Sequence, residues 1–228
     1  MILVALCALA TSIEEEVPCF ARDTGLAPYE ARLRLSQPSP IIAMRSPDRD
    51  VVLRLLASLR SRGHDAVACD DEAVPEPMAV RSLAELPNGA NVLAVVRAVL
   101  ALRNESTTKV TERKLRPGMA IATGGLVLSK KVTREEKRVA IDREERLYLF
   151  PREGGPPSIV TERGTSYTSL PNAAPTQREN FLRVIEDLRT KVSIWDERLL
   201  ALRNVEDPHE IDLRAQLVAI SLARKERA

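Results

Sequence analysis

The sequence predicts an α+β protein, in which an N-terminal βααβαβ sandwich is followed by a β-rich domain closed by a C-terminal helix. Three observations predict this class. Residues 1–71 alternate short apolar runs with helical patterns. Residues 78–160 hold apolar runs separated by Gly- and Pro-containing turns, which is typical of strands. Residues 176–191 have the spacing of an amphipathic helix.

An acidic, proline-punctuated stretch, Asp-Asp-Glu-Ala-Val-Pro-Glu-Pro, divides these two parts of the sequence. Such a composition is typical of a linker between domains. We therefore expect a docking domain at 1–71, a linker at 72–77, a β-rich domain at 78–198 and a helical tail at 199–228.

The first element is the apolar run from Ile2 to Ala10, which is short and unbroken, as expected of a central strand buried on both faces. The rival interpretation is a secretory signal, which normally has a basic start and a longer apolar core. Ser12 and Glu15 match a capping box, so a helix begins here and ends at Asp23-Thr24-Gly25.

The next three elements are a helix, a strand and a second helix. Residues 28–35 predict a helix with Tyr29 and Leu33 facing inward, and residues 41–44 predict a strand. Ser46 is the expected cap of the following helix, with Pro47 in its first turn. That helix ends at Gly63, and its buried face consists of Val52, Leu55, Leu56 and Leu59. A strand follows at residues 66–69.

Three short segments resemble a known family. Thr24-Gly25-Leu26, Glu30-Ala31-Arg32 and the helix from Asp48 to Arg62 ending in Gly63 are similar to the C-terminal domain of the bacterial ribosomal stalk protein, which shares its fold with the ClpS adaptor. The resemblance implies a protein-docking module that uses its paired helices. The basic positions of that family fall here on Ile13, Pro18, Ala21 and Arg32, and only Arg32 keeps the charge. We expect the docking residues to be Arg22, Tyr29 and Arg32.

In the second domain, residues 78–86 predict a strand, 87–90 a turn and 92–102 its partner, although a buried helix at 90–103 is a rival. Better strands are residues 147–150 and 158–160, joined by a turn at Gly154-Gly155-Pro156-Pro157. The helix at 176–191 would bury Phe181, Val184, Ile185 and Leu188, in the manner of pleckstrin-homology-like folds. Trp195 would anchor the end of this helix, and a last helix would follow in the tail.

An apolar segment at residues 118–129 lies between two basic arms. It is either a tip that contacts an anionic lipid surface or an acidic protein, or the buried end of a solvated ribbon. The basic residues of the arms are Lys109, Arg113, Lys114, Arg116, Lys130, Lys131, Arg134, Lys137 and Arg138.

Composition narrows the class of function. The net charge of +2 and an aromatic content of 3% disfavour nucleic-acid binding. The three cysteines and two histidines are scattered, so we expect no metal, no cofactor and a reducing, cytoplasmic location. No phosphate loop or nucleophile elbow occurs. The sequence therefore predicts a non-enzymatic interaction or scaffold protein with a protein partner, and it leaves the oligomeric state open.

Overall fold

The computed structural model describes the backbone of residues 1–115 and 129–227, and side chains throughout these ranges except at 106, 108, 110–115 and 129–138. The α+β class is confirmed. The helices are α1 Ile13–Thr24, α2 Pro28–Leu35, α3 Arg49–Ser61, α4 Gln177–Lys191 and α5 Pro208–Glu226. The strands are β1 Ile2–Ala8, β2 Ile41–Ser46, β3 Asp65–Asp70, β4 Met78–Ala79, β5 Val92–Leu115, β6 Ser129–Pro151, β7 Ser158–Thr161 and β8 Trp195–Leu199.

The first six elements follow the predicted order, β1-α1-α2-β2-α3-β3. The three strands form a sheet in the order β2-β1-β3, and β1 is antiparallel to both neighbours. One face of this sheet packs on α1, α2 and α3, with Val4, Phe20 and Leu59 in the shared core. The expectation that β1 is buried on both faces is confirmed, because Leu3, Ala5 and Cys7 are buried on the opposite face.

The opposite face of this first sheet is covered by α5, the last helix of the chain. Leu213 and Leu217 pack against Leu3, Ala5 and Val67. Helix α5 also contacts the second sheet, because the Tyr148 hydroxyl on β6 donates a hydrogen bond of 2.6 Å to Asp212 Oδ1. The predicted tail is therefore a buried structural layer.

The second sheet has the strand order β4-β7-β6-β5-β8. Strand β7 is antiparallel to β6 and parallel to β4, and β8 is parallel to β5. Helix α4 closes this sheet with the predicted residues Phe181, Val184, Ile185 and Leu188, all of which are buried.

Several local predictions are wrong, each for a physical reason. Most of the strand expected at 78–86 is a bridge and a 3-10 turn, because Ser82 Oγ accepts a hydrogen bond from the Ala84 amide. The cap of α3 is Asp48, whose carboxylate accepts the amides of Asp50 and Val51, and Ser46 belongs to β2. Trp195 begins β8, a strand that we did not predict.

The compact units of the chain are Met1–Ala101 with Arg143–Ala228, and Leu102–Asp142. The expected linker at 72–77 lies within the first unit. The preference for a strand over a helix at 92–102 is confirmed by β5, but its expected pairing with residues 78–86 is wrong, because β7 and β6 lie between β4 and β5 in the sheet. No helix within the described ranges has the length and hydrophobicity that a bilayer span requires.

Candidate protein-docking site

The local sequence sets the ends of α1 and α2. Ser12 Oγ accepts the Glu15 amide at 3.3 Å, and Glu15 Oε2 accepts the Ser12 amide at 3.2 Å, which completes the predicted capping box. Gly25, with φ 72°, ends α1 in the left-handed conformation that a glycine adopts without strain. Pro28 then starts α2, and Glu30 Oε2 accepts the Ala27 amide at 3.1 Å.

The outward face of this helical pair presents two large apolar side chains. Tyr29 is 76% exposed and Leu33 is 59% exposed, which corrects the expectation that they face inward. Ala31 and Leu35 are the buried residues of α2. Because Tyr29 and Leu33 are four residues apart on a helix, their side chains lie on the same face. We define the docking face as Tyr29, Arg32 and Leu33, which share one side of α2, together with the exposed Arg22 near the end of α1.

The two arginines of the docking face have different environments. The side chain of Arg32 on α2 donates to Glu14 Oε1 on α1 at 2.9 Å, so this ion pair joins the helices. Arg22 is 73% exposed, and its closest ion pair, with Asp23, has a longer N–O distance of 3.6 Å. Arg22 is therefore the face's better candidate for recognising a partner's carboxylate.

A buried polar network under the docking face fixes α1. Glu16 and His64 are both buried. His64 Nδ1 accepts the Ala10 amide at 3.0 Å, so the proton of the neutral ring resides on Nε2. His64 Nε2 then donates to Glu16 Oε2 at 2.7 Å. Arg62 donates to both oxygens of the same carboxylate, at 3.1 and 2.8 Å.

The network continues to the end of α1 at Asp23. Asp23 Oδ2 accepts hydrogen bonds from Ser58 Oγ at 2.7 Å and from Arg62 Nη1 at 2.8 Å. Burial alone would raise the pKa of Asp23, but these hydrogen bonds and the charge of Arg62 outweigh it and lower the pKa. Helix α1 is thus tied at both ends to α3 and to the turn after it.

The predicted basic patch lies only partly within the described side chains. Lys109 is exposed on β5. Arg113 and Lys114 also belong to β5, and their side chains lie outside the described residues. Arg116 lies outside the described residues altogether, as do residues 118–128 of the apolar segment. The patch residues that belong to β6, with side chains outside the described set, are Lys130, Lys131, Arg134, Lys137 and Arg138.

Cys7 has the character of a structural thiol. Burial raises its pKa to about 12, and its sulfur lies 3.7 Å from the Leu217 carbonyl that it donates to. A thiol with so high a pKa is a poor nucleophile at neutral pH. Within residues 1–115 and 129–227, no three His, Cys, Asp or Glu side chains are grouped as metal ligands.

Sequence analysis missed the network that supports the docking face. Glu16 and Asp23 are seven residues apart, so both lie on the same inward side of α1 as Phe20, and this placement was a usable signal. Their partners Arg62 and His64 are more than 35 residues away, and no local pattern identifies them.

Comparison with known proteins found no matching family model, no matching curated protein and no matching solved structure. The resemblance to the stalk-protein domain therefore stays a prediction.

Proposed function

We propose that this chain is a non-enzymatic adaptor, which binds a protein partner through the docking face on α1 and α2. The observation that carries the proposal is the exposure of Tyr29 and Leu33 side by side on a short helix. Tyrosine supplies a large, rigid contact area and is enriched among the residues that dominate binding energy. An exposed Tyr–Leu pair on a fixed helix is therefore a suitable anchor.

The chemistry of the face defines the kind of partner. Tyr29 and Leu33 would fill an apolar depression in the partner, and Arg22 would pair with a carboxylate at its edge. The network around Glu16 holds α1 in place before binding, so little conformational entropy is lost on association. The proposal includes a cytoplasmic location without a cofactor, supported by the odd number of well-separated cysteines, which are free.

A photo-crosslinking residue in place of Tyr29 tests this proposal in native lysate. We expect one stoichiometric protein adduct, which disappears when Leu33 is also changed to Asp. The matched control carries the crosslinker at Leu182, an exposed apolar position on α4. Adducts that are the same from both positions, or that survive Leu33→Asp, would contradict the proposal.

A second candidate function is binding to an anionic lipid surface through the basic arms. The specific observation is that the basic residues fall on two strands that are neighbours in the sheet. Strand β5 ends at Leu115, and strand β6 begins at Ser129. Between residues 109 and 138 the sequence has nine basic and three acidic residues. Juxtaposed basic residues are attracted to anionic lipids.

Liposome co-sedimentation separates the two candidates. Lipid binding predicts association with vesicles that contain phosphatidylserine, which falls with added salt and is lost in Lys130→Glu/Lys131→Glu. Tyr29→Ala should leave that association unchanged. Equal sedimentation with neutral vesicles would reject the lipid candidate.

A further inference from the structure

A cavity of about 470 Å³ lies beside the start of α4, away from the docking face and within the first unit of the chain. Its walls come from the segment after β4, the turn after β7 and the first turn of α4. A volume of this size is in the range of small-molecule sites. The cavity therefore has room for a small ligand.

Buried polar side chains hold the walls of this cavity in place. Thr165 is buried, and its hydroxyl donates to the Val80 carbonyl at 2.9 Å and accepts the Thr161 amide at 3.2 Å. The buried Asn180 bonds to both the amide and the carbonyl of Ala174, at 2.6 and 3.0 Å. Such bonds fix the wall geometry before any ligand binds.

The Tyr167 hydroxyl adds a bond of 2.7 Å to the Thr161 carbonyl. Buried polar groups that are fully satisfied stabilise one arrangement of the backbone. These bonds and the packing of Tyr167 in the core of the second sheet hold the turn after β7 in place.

The charged residues that line the cavity are both arginines, Arg81 and Arg163, and no carboxylate is among the described lining residues. Within the described part of the chain, the Arg81 guanidinium has no hydrogen bond or ion pair, and the Arg81 backbone amide donates to Glu85 Oε2 at 3.0 Å. Ser166 and Thr168 share one hydrogen bond of 3.2 Å, which leaves one of their hydroxyl protons available. The lining residues that the structure describes therefore offer one guanidinium without a partner, that of Arg81, and a hydroxyl donor.

We infer that this cavity is a binding site for an oxyanion, of the phosphate-monoester class, carried by a small molecule. Arg81 would donate to two of its oxygens, since a guanidinium matches the geometry of tetrahedral and planar oxyanions. Arg163 also lines the cavity but already has an interaction of its own, so the charge that binds the ligand comes from Arg81, and the Ser166–Thr168 pair supplies a neutral donor. The remaining volume would hold the organic body of the ligand.

NMR titration of the full chain with inorganic phosphate and with phenyl phosphate tests the site. We expect saturable shifts of the backbone amides of residues 163–168 with both probes and none with chloride at the same ionic strength. Tighter binding of phenyl phosphate would support a phosphate monoester as the ligand, and equal or weaker binding would overturn that assignment.

Two variants separate the site from general attraction to surface arginines. Arg81→Gln should weaken phosphate binding at least about tenfold, because it removes the charge from both hydrogen bonds of the guanidinium. Arg54→Gln, an exposed arginine on α3, should leave it unchanged. Thermal unfolding confirms that each variant is folded. Absence of saturable shifts at residues 163–168, or equal binding by Arg81→Gln, would overturn the inference.

Discussion

Two carboxylates on α1, those of Glu16 and Glu14, differ in burial and therefore in their expected contribution to stability. Glu16 is buried with three donors from Arg62 and His64, so its charge is compensated within the core. Glu14, two residues earlier on α1, is 65% exposed, and among the described side chains it pairs with Arg32 alone. Desolvation makes a partnerless buried charge far more costly than a lost surface pair.

We expect Glu16→Gln to lower the free energy of unfolding by about 3 kcal/mol, because it leaves Arg62 and His64 without the carboxylate that organises them. Glu14→Gln on the same helix should cost less than about 1 kcal/mol. Urea denaturation followed by circular dichroism measures both. A similar loss in the two variants would show that the network does not stabilise the fold.

We expect the ionisation of Asp212 and of Asp65 to change the folding stability in opposite directions as the pH rises. Burial raises the pKa of Asp212 above its ordinary value of 3.8, although the Tyr148 hydrogen bond and Arg146 oppose this. The folded state thus holds this proton more tightly, and stability falls as the pH rises through the raised pKa. Asp212→Asn should remove that fall and match or exceed the wild type at pH 7, since the amide oxygen still accepts from Tyr148.

For Asp65, burial would raise the pKa, but hydrogen bonds from Lys225 and Ser221 and the charges of Lys225 and Arg224 lower it below 3.8. Its stabilisation is present above the ordinary pKa and is lost as the pH falls through the lowered one. Asp65→Asn should therefore destabilise the protein at neutral pH. Urea midpoints measured from pH 3 to 7 check both variants, and shifts of the same sign at pH 7 would contradict the assignment.

Among the elements, α5 has the largest structural consequence, because it covers the second face of the first sheet. Leu213 and Leu217 are fully buried there. We expect Leu213→Ala to lower the free energy of unfolding by about 2–5 kcal/mol, through lost burial and the cavity left behind. Denaturant unfolding measures this loss.

Leu182→Ala on α4, where the leucine is 38% exposed, is the matched control and should cost less than about 1 kcal/mol. If Leu213→Ala were equally mild, α5 would be a peripheral helix and the layer described above would be wrong.

The helices show how far local patterns predict structure. The buried face of α4 and the capping box of α1 depend on neighbours within four residues, and both were predicted correctly. In α2 two apolar pairs compete for the inner face, Tyr29 with Leu33 and Ala31 with Leu35. The sequence predicts that the larger pair, Tyr29 and Leu33, is buried. The structure instead buries Ala31 and Leu35, because the small side chain of Ala31 lets α2 pack closely in the core.

Distant pairings were beyond the reach of the sequence. An apolar β1 correctly predicted burial on both faces, yet nothing local shows that the second cover comes from residues 208–226. Arg22, Tyr29 and Arg32 were predicted as docking residues, although Tyr29 was expected to face inward. Their support depends on contacts such as Arg62 with Asp23, 39 residues apart. Long-range contacts of this kind leave no periodic signal.

For the whole molecule, the contacts of α5 and β8 join the two sheets. Arg198 Nη1 on β8 donates to the Cys7 carbonyl on β1 at 2.7 Å, and Arg214 Nη1 donates to the Pro40 carbonyl at 2.7 Å. Ser221 Oγ donates to Asp65 Oδ2 at 2.6 Å. Each of these bonds joins a residue before the expected linker at 72–77 to a residue after it.

We therefore expect the chain to stay associated after it is cut in that linker. A specific protease site inserted between Glu76 and Pro77 would yield fragments 1–76 and 77–228, held together by α5 on the first sheet. Size-exclusion chromatography of the cut protein should show one peak that contains both fragments. Two separate folded peaks would instead indicate two independent domains.

The distance along the chain between Leu3 and Leu213 also has a consequence for biosynthesis. At about 5–20 residues per second, the ribosome takes roughly 10–40 s to make the 210 residues that separate them. In the later part of that interval, after β3 is made, the sheet face formed by Leu3, Ala5 and Val67 has no covering helix. Newly made chains therefore expose this apolar surface to other unfolded chains, and faster translation shortens the exposure.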